Sequence, residues 1–131
     1  MSQYLYYALF EAEDDRYNVS FPDLPGCLTF GENMADALYM AKDALEGHLL
    51  VQEDLQNPIP APSKPMDITV PINTLLIPIQ VNTELARIKE ENKYIKKTLT
   101  IPRYLNVLGE RKGINFSQVL QDALKKHLLE R

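Results

Sequence analysis

Residues 96–128 read KKTLTIPRYLNVLGERKGINFSQVLQDALKKHL, and the order of signals in this stretch decides how the chain is put together. Lys96 to Ile101 alternates, with Leu99 and Ile101 on one side and Lys96, Thr98 and Thr100 on the other, which is the period of a strand. Pro102 ends the ladder and suits the first turn of a helix. Leu105 and Leu108 give that helix an inner face, and Gly113 terminates it. Asn115 then caps a second helix striped by Val119, Leu120, Ala123, Leu124, His127 and Leu128.

One six-residue strand and two short helices cannot satisfy the strand's backbone groups or bury enough apolar area alone. A second copy solves both problems. Two strands pair as an antiparallel ribbon, and four helices enclose a dimer core of Leu99, Ile101, Leu105, Leu108, Val119, Leu120 and Leu124. Such a ribbon fits the major groove of DNA, where outward Lys96, Thr98 and Thr100 meet base edges. The start of the second helix, at Asn115, Phe116 and Ser117, suits a phosphate. The competing reading adds the strand to a sheet elsewhere in the chain and leaves the threonines merely exposed.

Working back toward the N-terminus, Asn82 to Lys93 (NTELARIKEENK) lacks a wide apolar face and reads as a linker or a short exposed helix. Before it, Met66 to Val81 is strand-like, but Pro71 and Pro78 confine it to short, edge or bulged strands, with the best placement at Leu75 to Val81. NPIPAPSKP, residues 57–65, holds four prolines and must be an extended connection. A helix precedes it. Asn33 caps its start, Asp36 stands three residues on, and Met34, Leu38, Ala41, Leu45 and Leu49 form one stripe that covers a sheet. Tyr4 to Glu13 and Arg16 to Phe21 read as a hairpin turning at Asp14 and Asp15; PDLPG breaks the ladder, and Cys27 to Phe30 is long enough for a third strand.

Charge divides the chain. Residues 1–60 carry eleven acids and two bases, a balance of −9, while residues 61–131 carry seven acids and twelve bases, a balance of +5. An acidic head and a basic tail point to two different partners, with the tail the candidate for phosphate contact. No apolar stretch is long enough to span a bilayer, no signal peptide is recognisable, and the single Cys27 excludes an internal disulfide, so a cytoplasmic protein is expected.

The tail quoted above resembles the ribbon-helix-helix repressor family. It departs from that family's pattern in its short Thr98 and Thr100 and in Lys97 on the inner face. The segment YNVSFPDLPGCLTFGENMADALYMAKDAL, residues 17–45, resembles the N-terminal domain of HicB antitoxins through Phe21, Pro22, Asp23, Leu24, Pro25, Gly26, Cys27, Thr29, Gly31, Ala37 and Ala44. That likeness implies an α+β chain: a partial ribonuclease-H-like sheet of three or four strands crossed by one long helix, then the ribbon-helix-helix unit. It implies a toxin-neutralising domain at 1–82, a linker at 83–93 and a DNA-binding, dimerising domain at 94–131. It also implies a HicA-like toxin, a small basic ribonuclease, as partner, beside operator DNA and a second copy of this chain. Asp14, Asp15, Asp23 and Leu24 are the expected toxin contacts.

A nuclease reading needs several carboxylates converging on paired metal ions, and Asp14, Asp15 and Asp23 are not placed to converge. His48 and His127 lack ligand partners at metal spacing, and Cys27 reads as a small buried hydrophobe. No catalytic residue, cofactor or metal is expected. A stand-alone regulator whose head senses a small ligand or another protein is the alternative in a different class.

Overall fold

The hairpin that opens the chain forms because β1 (Gln3–Glu13) alternates bulky apolar residues with exposed ones, and β2 (Arg16–Ser20) answers it in antiparallel register. Asp14 turns between them with a left-handed φ of 56°, which aspartate tolerates better than most side chains. β3 (Leu28–Gly31) pairs with β2, and β4 (Thr74–Asn82) pairs with the other edge of β1, so the sheet runs β3-β2-β1-β4, antiparallel throughout. Pro78 sits opposite Tyr7 on β4, an edge strand, where a missing N–H costs no ladder bond on the open side. These observations come from a computed structural model that describes residues 3–91 and 93–129. The expected domain ends at 1–2 and 130–131, and residue 92 of the expected linker, lie outside the described residues.

Helix α1 (Met34–Asp54) lies across one sheet face. Asn33 caps it, its side chain accepting from the Asp36 N–H at 2.8 Å. The buried stripe is Ala37, Ala41, Leu45 and Leu49, packed on Tyr6, Ala8, Phe10, Val19 and Ile79. That corrects the stripe read from hydrophobicity: Leu38 is 40 % exposed and Met34 only partly buried. The physical reason is the close approach of β3. A Cβ at Gly31 would stand 2.2 Å from the Ala37 nitrogen, so only a small side chain fits at that crossing.

Residues 82–93 hold helix α2 (Thr83–Glu90), which is not exposed all round: Thr83 and Ala86 are buried, and Asn82 caps it through the Leu85 N–H. The chain divides into two compact units, 1–93 and 94–131. In the second unit, α3 (Arg103–Lys112) ends at Gly113, whose φ of 68° and N–H bonds back to Glu110 and Gly109 finish the helix in a left-handed cap. α4 (Phe116–Leu129) begins at Asn115, which accepts from the Gln118 N–H at 3.0 Å.

One expected element is missing from this second unit. Lys96–Ile101 forms no strand, and among the described residues of 94–131 there is none. A ladder requires a paired neighbour, and within one chain this segment has none.

Candidate functional site

The tail unit places Lys96, Thr98 and Thr100 in an exposed segment outside any helix or strand. Its apolar side chains are left out of any core. Leu99, Ile101, Leu105, Leu108, Val119 and Leu124 are all exposed, Leu120 is half-buried, and among the described residues of the unit only Gly109 is buried. Lys97, Leu99, Ile101, Ser117, Val119 and Leu120 line a groove of about 520 Å³ between this segment and α4. Phe116 has a second role that sequence reasoning missed. Its ring lies so close to Gly109 that a Cβ there would meet Cζ at 2.4 Å, so the two helices cross at glycine.

In the head unit, Asp14 and Asp15 are exposed at the hairpin tip. Of the other two expected contacts, Asp23 is half-buried and Leu24 lies in the core. Leu24 is 2 % exposed: turns from Phe21 O to the Leu24 N–H and from Leu24 O to the Cys27 N–H fold both Leu24 and Cys27 into the core. Asp23 spends both carboxylate oxygens on Ser63, accepting from its N–H at 2.8 Å and its hydroxyl at 2.6 Å. With Tyr6 donating to the Pro60 carbonyl, this pins the proline-rich connection against the domain. Burial pushes the Cys27 thiol up to about 11, which keeps it protonated and unreactive at neutral pH.

Glu53, counted in the sequence only as one more acid, is the hub of a polar cluster. It accepts from the Tyr4 hydroxyl at 2.6 Å, the Thr83 hydroxyl at 2.8 Å and the Arg87 guanidinium at 3.0 Å, while Arg87 also reaches Asp54 at 2.9 Å. Burial pushes the Glu53 carboxyl up, but the three donors and the Arg87 charge together outweigh it and hold the group below the usual glutamate range. Burial and the bond to Glu53 raise the Tyr4 phenol to about 12. The cluster fastens α2 to the end of α1, which is a structural task. Among the described residues no group of three or more His, Cys, Asp or Glu side chains could hold a metal ion, and no helix is long and apolar enough to cross a membrane.

The charge division follows the structural one: residues 1–93 carry −9 and residues 94–131 carry +5. The chain is thus a small antiparallel sheet backed by one long helix, followed by a basic two-helix unit. The family described as HicB-like antitoxin of bacterial toxin–antitoxin systems matches residues 3–84, and the chain belongs to that family. It is 32 % identical over 122 residues to Antitoxin HicB 2 of Photorhabdus laumondii subsp. laumondii, covering 77 % of this chain and 88 % of that one. A chain of a toxin–antitoxin complex from Streptococcus pneumoniae superposes with a TM-score of 0.59 at 27 % identity, covering 95 % of this chain and 99 % of that one. An uncharacterised 14.9 kDa protein of Haemophilus phage HP1 is 36 % identical over 56 residues, 41 % of this chain, and the match spans only 42 % of the phage protein.

Proposed function

We propose that this chain is an antitoxin that binds and inhibits a HicA-like mRNA interferase toxin through its acidic head and represses its own operon through a dimeric ribbon-helix-helix tail. Membership of the antitoxin family and the −9 charge of the head support the toxin half: a negative surface speeds capture of a basic ribonuclease. The head is assigned the partial ribonuclease-H-like arrangement on the strength of its β3-β2-β1 meander and crossing helix.

The observation that carries the tail half is its unburied apolar face beside a segment, Lys96–Ile101, that forms no strand within one chain. A second copy supplies what is lacking. Its Leu99 and Ile101 fill the groove against Val119 and Leu120, and its Lys96–Ile101 pairs with this one as a ribbon, leaving Lys96, Thr98 and Thr100 outward for base edges. The first turn of α4, at Asn115, Phe116 and Ser117, then lies where helix N-termini meet phosphates. In this division residues 1–82 neutralise, 94–131 dimerise and bind DNA, and α2 within 83–93 connects them.

The test uses the full chain with a purified HicA-like toxin. The free chain is expected at dimer mass or a multiple of it. Lys96→Ala with Thr98→Ala is expected to weaken binding to its promoter fragment and to leave inhibition of the toxin's ribonuclease activity unchanged. Equal loss of both activities, or a monomer mass at micromolar concentration, overturns the division of labour.

A further inference from the structure

The sheet has two faces, and only one has a partner within the head. Tyr4, Tyr6, Ala8 and Phe10 point to α1; the alternate residues of β1 point away from it. The strand register shows what those alternate residues make together. Leu9 stands opposite Leu76 on β4 and opposite Ser20 on β2, and Ser20 in turn stands opposite Leu28 on β3, so one row crosses all four strands and is apolar at three of them. The next row toward the start of β1 pairs Tyr7 with Pro78. Leu28 is 68 % exposed and Phe30, two residues on, 47 %. Antiparallel sheets that face water on one side ordinarily carry polar side chains there. This one carries a connected apolar centre, the usual mark of an interaction surface.

The rim of the same face is acidic. Glu11 and Glu13 continue the outward series of β1 beyond Leu9, and the hairpin turn at Asp14 and Asp15 follows them. Arg16 is the basic side chain on that flank, and it is engaged, lying 4.7 Å above the Phe30 ring with its Nε 3.7 Å from Glu32. This arrangement selects between occupants. A second head would bring −9 against −9 and set the carboxylate rims against one another, whereas a basic protein gains both the apolar centre and the charge.

We propose that the uncovered sheet face, centred on Tyr7, Leu9 and Leu76 and rimmed by Glu11 and Glu13, is the surface that holds the basic toxin. The inference rests on the antitoxin reading above. It assigns binding to the sheet rather than to α1 or to Asp23 and Leu24. The apolar centre supplies the affinity and the acidic rim the speed of encounter, the division usual where a desolvated core is ringed by charge.

The test measures binding of the full chain to a HicA-like toxin by calorimetry, with the toxin held inactive. Leu9→Thr with Leu76→Thr keeps strand-forming side chains while removing the apolar centre; binding is expected to weaken roughly thirtyfold or more. Tyr39→Gln with Val51→Gln, on the exposed side of α1, is expected to bind as wild type. Should the threonine pair fail to fold by circular dichroism, Leu28→Thr, at an edge position, carries the same test with roughly fivefold weakening expected. Wild-type affinity in a folded sheet-face variant overturns the proposal. So does a variant that keeps its toxin but loses mass as the free chain, because a second copy then covers the face. If the wild-type chain itself does not bind, the antitoxin reading fails first and takes this surface with it, an outcome separate from a variant that binds unchanged.

Discussion

Gly31→Ala probes the close crossing on which the head is built. A Cβ at this position would lie 2.2 Å from the Ala37 nitrogen and 2.3 Å from its Cα, where ordinary contact begins at 3.4 Å, so β3 and the start of α1 must part by about 1.2 Å. Both obstructing atoms are backbone, and no rotamer change relieves them. The helix start cannot slide easily either, because the Asn33 cap fixes it and fully buried Ala41 and Leu45 seat the following turns. Overpacking of this kind costs about 3 kcal/mol, the upper part of the usual range. For a unit of 93 residues that lowers the melting temperature by roughly 12–24 °C. Near-UV circular dichroism of the full chain reports it, since five of the seven tyrosines (Tyr4, Tyr6, Tyr7, Tyr17 and Tyr39) belong to the head. Adding Ala37→Gly removes only the 2.7 Å contact with the Ala37 Cβ and is expected to recover little. A melting temperature within about 4 °C of wild type, or full recovery in the double variant, refutes the reasoning.

Other perturbations follow from the same structure. Glu53→Ala removes the acceptor shared by Tyr4, Thr83 and Arg87 and is expected to cost about 2 kcal/mol by thermal or urea melts. Because the folded carboxyl is held below its ordinary 4.5, its contribution is complete above that value and drains as pH falls below it; the variant's acid limb should be flatter than wild type. Asp23→Ala releases Ser63 at a cost of about 1–2 kcal/mol, and limited proteolysis should then cut faster within residues 57–73. Leu108→Glu, on the tail's exposed apolar face, is expected to shift the full chain from dimer toward monomer in sedimentation; an unchanged mass counts against the enclosed four-helix core.

Much of the framework was legible because its signals are local. The hairpin, the Asn33 and Asn115 caps and the Gly113 stop each depend on residues within a few positions of one another, and each forms where expected. What was misread depends on distance in sequence. Leu38 outranks Ala37 on any hydrophobic scale, yet Ala37 faces the core because Gly31 brings backbone against it. The tie between Asp23 and Ser63 spans forty residues and leaves no local signal. Glu53 showed nothing of its place as a hub, since its donors come from β1 and α2. Leu24 could have been found: an apolar residue between two tight turns must point inward or be exposed at cost. The outward row of Leu9 and Leu76 became visible only with the register of β1 against β4.

The pinned connection has a consequence for how the molecule is made. β1 waits for β4 across most of the head, pairing Tyr4 with Val81, and β4 can reach it only after residues 55–73 have closed. Anchoring Pro60 and Ser63 shortens the loose segment from nineteen residues to the ten between Ser63 and Thr74, which saves only roughly 0.6 kcal/mol of closure entropy. The larger effect is on search. A chain already held at Pro60 and Ser63 has less space to search before β4 meets β1. Loss of the Asp23 anchor should therefore be felt in the rate of folding, as a slower folding arm, in addition to its modest equilibrium cost.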